Sequence, residues 1–161
     1  MTVNQYNESV DLYADGLYRF ILKSFRDEDK AKDIIQDSFE KLWIRVEEVN
    51  YEKVKSYLFT TAYHTMIDLI RKEKRLTTIE LVNTDNFSHI PQTPDLQEIL
   101  HAAINKLPEI QRSLILLRDY EGYSYEEIGE ITNLNESQVK VYIFRARAFL
   151  KNYIGSMEAV I

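Results

Sequence analysis

Residues 124–147 read SYEEIGEITNLNESQVKVYIFRAR, and the fold is decided here. The stretch holds two helix starts: Ser124 followed by Glu127, and Asn135 followed by Gln138. In each, a short polar side chain precedes a Glu or Gln by three positions. At that spacing, side chains and backbone N–H groups satisfy one another reciprocally. Starts this close leave space for a short first helix and a tight turn at Asn133-Leu134-Asn135. Ile128, Ile131, Leu134, Val139 and Ile143 then face each other across the pair. Gly129 disfavours a helix interior by about 1 kcal/mol relative to Ala, so its place makes sense where another helix passes too close for a side chain. The pattern is a helix-turn-helix.

Charge divides along the same line. The whole chain of 161 residues carries a net charge of -6. Between 136 and 151, however, Lys140, Arg145, Arg147 and Lys151 stand against Glu136 alone, a local +3. Between 119 and 130, Asp119, Glu121, Glu126, Glu127 and Glu130 have no basic residue among them, a local -5. A local patch sets the local field whatever the net charge. The second helix is therefore expected to enter a DNA major groove while the first stays clear of the phosphates. Lys140 and Arg145 would face the duplex with Val141 and Phe144 near base edges. The competing reading is a helical hairpin with solvated charged faces.

The rest of the chain reads as helix. Glycines number four and prolines three. Tyr13, Leu17, Phe20 and Ile21 form one helical stripe; Ala31, Ile34, Ile35, Ser38, Phe39, Leu42 and Val46 form another, opened by Asp27 or Asp29. A third helix spans about Val54 to Leu76, burying Leu58, Ala62, Met66, Leu69 and Ile70. No period-2 strand appears. From Leu76 to Asp95 no period is sustained and two of the three prolines occur, which reads as a linker. Helical spacing resumes at Leu96, Ile99, Leu100, Ala103, Ile104 and Leu107, and Pro108 suits the first turn of the next helix. The expectation is an all-α chain of two small domains, 1–76 and 96–161, on a flexible linker over 77–95. Such a chain samples many interdomain arrangements, or a weakly closed one.

The composition excludes several classes. There is no cysteine, so disulfides and thiolate metal sites are absent. No apolar run reaches the ~18 residues of a membrane span, and the N-terminus lacks the pattern of a secretory signal, so a cytoplasmic protein is expected. The histidines stand singly, without ligand spacing. No phosphate loop or nucleophile constellation is present, so no enzyme, cofactor, metal or small-molecule substrate is expected.

Basic and aromatic residues interleave toward the third helix. Lys53, Lys55, Tyr57, Phe59, Tyr63 and His64 lead to Arg71, Lys72, Lys74 and Arg75. Rings that stack on exposed bases, beside cations that hold the backbone, suit a single strand. Aromatics at helical spacing also suit a core, and Tyr57 and Phe59 cannot both face inward.

Taken in order, three segments resemble the extracytoplasmic-function sigma factors, the specificity subunits of bacterial RNA polymerase. DKAKDIIQDSFEKLWIRV, 29–46, is similar to that family's polymerase-binding helix, and SYLFTTAYHTMIDLIRKEKR, 56–75, to its promoter-melting helix. LPEIQRSLILLRDYEGYSYEEIGEITNLNESQVKVYIFRARAFL, 107–150, is similar to its upstream-element reader. His64 stands where the family commonly has Asn, and Val141 and Tyr142 where small polar and basic residues are frequent. The resemblance implies core RNA polymerase as partner, promoter DNA both as duplex and as melted strand, and an anti-sigma protein. It implies polymerase binding through Asp33, Gln36, Asp37 and Glu40. Upstream-element contacts fall on Glu136, Ser137, Gln138, Lys140, Val141, Phe144, Arg145 and Arg147. Downstream-element contacts fall on Asn50, Lys53, Lys55, Tyr57, Tyr63, His64, Arg71, Lys72 and Arg75. The loop around Asn50 would take up an extruded base, and the acidic linker would thread the RNA exit path. A helix-turn-helix regulator acting without polymerase and a protein-only helical adaptor are the rival readings.

Overall fold

A computed structural model describes residues 1–77 and 95–160, so the linker expected over 77–95 lies, apart from its two ends, outside the described residues. The N-terminal half is three helices. Helix α1, Val3–Phe25, starts at a reciprocal box between Thr2 and Gln5 and ends where Arg26 turns left-handed at φ 62°. Helix α2, Glu28–Ile44, is capped by Asp27, which accepts from the Lys30 N–H. It stops at Ile44, so Val46, expected on its stripe, lies in the turn beyond. Asn50 caps a short 3-10 turn, Tyr51–Lys53, that leads into α3, Val54–Thr77. Leu17, Phe20, Ile21, Ile34, Leu42, Leu58, Ala62 and Met66 are all within 1% of complete burial and make this half's core. Leu69 and Ile70 are only partly buried at its edge.

The C-terminal half is four helices. Helix α4, Leu96–Lys106, is capped by Asp95. Pro108 stands one position before α5, Glu109–Ile115, with an extended ψ of 146°, rather than inside its first turn. Its missing N–H is harmless at either place. Helix α5 runs on into a wider π-type turn, Leu116–Tyr120, in which the Glu121 N–H reaches back five residues to the Leu116 carbonyl. Gly122, at φ 77°, reverses the chain into α6, Tyr125–Thr132, and α7, Glu136–Val160, follows.

The halves do not sit apart. Their buried residues form one continuous apolar cluster, with α1 against α5 and its π-type extension and α3 against α6. Phe59 of α3 packs against Phe20 at 5.6 Å on one side and Tyr123 at 5.4 Å on the other. Polar contacts reinforce the seam. Arg19 donates to both carboxylate oxygens of Glu121 at 3.1–3.3 Å. Lys23 lies 4.1 Å over the Tyr120 ring and Lys55 5.0 Å over the Tyr123 ring. Lys74 pairs with Glu109 at 3.6 Å.

Arg112 is the central polar tie. It is buried, and it donates to Ser24 O at 2.7 Å, Leu107 O at 2.9 Å, and Ile104 O and Asn105 O at 3.3 Å. Those carbonyls lie at the C-terminal ends of α1 and α4, where each helix carries roughly half a negative charge. The planar fork of a guanidinium serves several acceptors at once. Burial, with Arg26 adding and Glu109 opposing, pulls the group down to about 10, so it stays cationic at neutral pH. Of the two arrangements expected of the tethered pair, many or one closed, the structure shows a closed one. Phe59 and Tyr123, one from each half, meet at this seam and both are buried.

Candidate nucleic-acid and polymerase interfaces

The helix-turn-helix forms as its caps require. The Glu127 N–H donates to Ser124 Oγ at 3.1 Å and the Ser124 N–H to Glu127 Oε1 at 3.0 Å. The second box closes likewise, Gln138 N–H to Asn135 Oδ1 at 2.8 Å and Asn135 N–H to Gln138 Oε1 at 3.1 Å. Asn133 takes the left-handed cap position at φ 61°, one of the few non-glycine types that do so readily. A Cβ on Gly129 would lie 2.7 Å from the Leu134 carbonyl oxygen. The close neighbour is therefore the turn's own backbone, not another helix as the sequence suggested. Ile128, Ile131, Val139, Ile143 and Ala146 are buried beneath.

Helix α7 consequently shows solvent one face. Glu136, Ser137, Gln138, Lys140, Val141, Phe144 and Arg145 are all exposed. Ser137, Val141 and Arg145, with Asn135, Gln138 and Tyr142, line a shallow depression of about 280 Å³. Lys140 pairs with Glu136 at 3.3 Å and lies 5.8 Å from the Tyr125 ring. Arg147 is committed elsewhere: it donates to Asp119 at 2.7 Å, which fixes α7 to the π-type turn and raises its already high pKa. Its side chain nonetheless stays 47% exposed beside that pair.

On α2, Asp33, Gln36 and Glu40 form an exposed stripe at helical spacing. Asp37 is turned toward Lys41 at 3.0 Å and lies to the side of it. The stripe ends at two residues absent from the expected set, Trp43 at 47% and Ile44 at 74% exposure. Trp43 leans on Tyr6, ring centroids 5.0 Å apart. A signal existed in the sequence, since Leu42, Trp43 and Ile44 in succession cannot all face one core.

The downstream set divides. Asn50, Lys53, His64, Arg71, Lys72 and Arg75 are exposed, and Tyr57 is half-buried. Lys55 is half-buried over Tyr123. Tyr63 departs from the expected stacking position: only 4% of it is exposed. Burial first, with Glu109 adding and Arg71 opposing, pushes its hydroxyl up to about 12. The C-terminal half thus covers the aromatic side of α3. Among the described residues no cluster of His, Asp or Glu is placed to hold a metal ion, and no helix is long and apolar enough to cross a membrane.

Two capped helices with an open second face, joined to a three-helix unit bearing an acidic stripe, suit a DNA-binding transcription factor. Residues 10–76 match the model for sigma-70 region 2 and residues 97–150 the model for sigma-70 region 4. The chain is 31% identical over 151 residues to the ECF RNA polymerase sigma factor SigM of Bacillus subtilis (strain 168), covering 90% of this chain and 92% of that one. It is 34% identical over 145 residues to the RNA polymerase sigma factor SigV of the same strain, covering 86% and 84%. The fold matches the sigma factor RpoE, solved in complex with the anti-sigma factor NepR from Bartonella quintana, with a TM-score of 0.79 at 23% identity over 95% and 98% of the two chains. The chain belongs to the extracytoplasmic-function sigma factors. It is an RNA polymerase sigma factor, binding core polymerase and directing it to promoters.

Proposed function

We propose that promoter work is divided between the halves. Residues 1–76 dock polymerase through Asp33, Gln36 and Glu40, with Asp37 beside them. They also engage the downstream element through the basic end of α3 and the turn at Asn50. Residues 96–161 read the upstream duplex with α7, and 77–95 link the two. The chain performs no covalent chemistry itself and works in the cytoplasm. The observation that carries this reading is the open face of α7, Ser137 to Arg145, held at a tight double-capped turn. In the closed body Tyr63 is covered, so strand capture requires the C-terminal half to lift from α3 when polymerase binds. Solved neighbours with this fold are complexes with the anti-sigma factor NepR and with the cytosolic domain of CnrY. A partner of that kind would hold the factor inactive.

Co-purification with core polymerase, followed by run-off transcription from genomic promoter fragments, tests the reading. Glu40→Lys is expected to weaken core binding with helicity intact, and Arg145→Ala to spare core binding while reducing promoter affinity. The salt dependence of that affinity should flatten by about one log–log unit for a lost phosphate contact. Wild-type behaviour of Glu40→Lys in core binding would remove the α2 stripe from the interface. Duplex binding without core association would favour a regulator acting alone.

A further inference from the structure

The open face of α7 is short of uncommitted hydrogen-bond acceptors. Asn135 and Gln138 each commit the amide oxygen to the other's backbone N–H, so neither is free for the two-point, donor-plus-acceptor contact by which an amide reads adenine. Lys140 is paired with Glu136 and Arg147 with Asp119. Ser137, Val141, Phe144 and Arg145 remain, at successive positions along one helical side. Val141 is 46% and Phe144 75% exposed, and neither joins the apolar cluster. Arg145 has no hydrogen-bond or ion-pair partner among the described residues.

A helix carrying this face into a major groove meets the base edges chiefly with hydrocarbon. The apolar group that the groove floor presents is the C5-methyl of thymine. We propose that this factor reads its upstream element through thymine methyls, contacted by Phe144 and Val141, with Arg145 anchoring the adjoining phosphate. The proposal rests on the assignment of α7 to the upstream duplex and deepens it. An exposed aromatic could equally serve a protein partner. DNA is favoured because the ring lies on the same side as Arg145 and Ser137, immediately after the capped turn that sets a recognition helix in place. Removing one methyl from such a contact should weaken binding about fourfold.

The test uses the full chain assembled with core polymerase and a duplex library randomised upstream of a fixed segment. Selection should enrich thymine at neighbouring positions. The selected duplex, remade with deoxyuridine at those positions, keeps its base pairing and loses only the methyls. Wild type should bind it about fourfold more weakly for each contacted thymine. Phe144→Ala should bind the thymine and deoxyuridine forms more nearly alike, with circular dichroism unchanged because the ring packs on nothing in the core. Equal binding of the two forms by wild type would overturn the proposal, as would an undiminished difference in Phe144→Ala. Loss of core association by Phe144→Ala would assign the ring to a protein partner instead. A library with no enrichment at all would refute the assignment of α7 to the upstream duplex, and this inference with it.

Discussion

Reversing one charge should open the closed body without disturbing either core. Glu121 is the residue to change: its side chain is only 6% exposed, while that of Arg19, across the seam, is 48% exposed. Glu121→Arg removes a forked, charge-assisted pair worth about 1.5–3 kcal/mol. Solvent around Arg19 places the loss toward the lower end. The new guanidinium then faces Arg19 and Lys23, both within electrostatic reach of position 121, adding about 1 kcal/mol of repulsion at an effective dielectric constant near 20 after solvent screening. The total, about 3 kcal/mol, lowers the closed-to-open ratio roughly a hundredfold. With no native cysteine, spin labels can be attached at cysteines replacing Leu12 on α1 and Ala148 on α7, both exposed. Pulsed electron resonance should give one narrow distance for the otherwise native chain and a broad, longer distribution for Glu121→Arg. Arg19→Glu combined with Glu121→Arg restores the pair in reverse and should restore the narrow distance. An unchanged distance in the folded single variant, or no rescue in the double, would refute the assignment of this pair as a latch.

Two further outcomes follow from buried groups at the same seam. Arg112→Met strips four carbonyls, three of them in buried bonds, of their donor and should cost about 2–4 kcal/mol in urea unfolding; a loss below about 1 kcal/mol would show that the carbonyls find other partners. Tyr63 holds its proton up to about 12 in the folded state against 10 as its ordinary value. The stability linked to that proton is full below pH 10 and is lost as pH rises through 10 toward 12, about 2–3 kcal/mol in all. Tyr63→Phe should therefore show a shallower alkaline loss of stability than wild type, by that amount; parallel curves would place the hydroxyl in water.

The helices, their caps and the division of charge were legible because each depends on residues three or four apart. Ser124 with Glu127 and Asn135 with Gln138 close as their spacing predicts, and the stripe of Asp33, Gln36 and Glu40 faces outward because its neighbours Ile34 and Ser38 face in. Local spacing also leaves partners out. Arg147 has the sign and position of a phosphate contact, and only the structure shows that it pairs with Asp119, 28 residues away. Periodicity shows which side of a helix a residue occupies and is silent about what lies opposite. Phe59 and Tyr63 occupy one side of α3, and their sequence suits a strand-stacking surface as well as a core. Only the tertiary structure decided between them, by setting Tyr123 against Phe59. It did so through contacts no local pattern carries, Arg112 to Ser24 across 88 residues and Arg19 to Glu121 across 102. Those pairings exist because the two halves each leave apolar area uncovered, and closing on one another removes it from water.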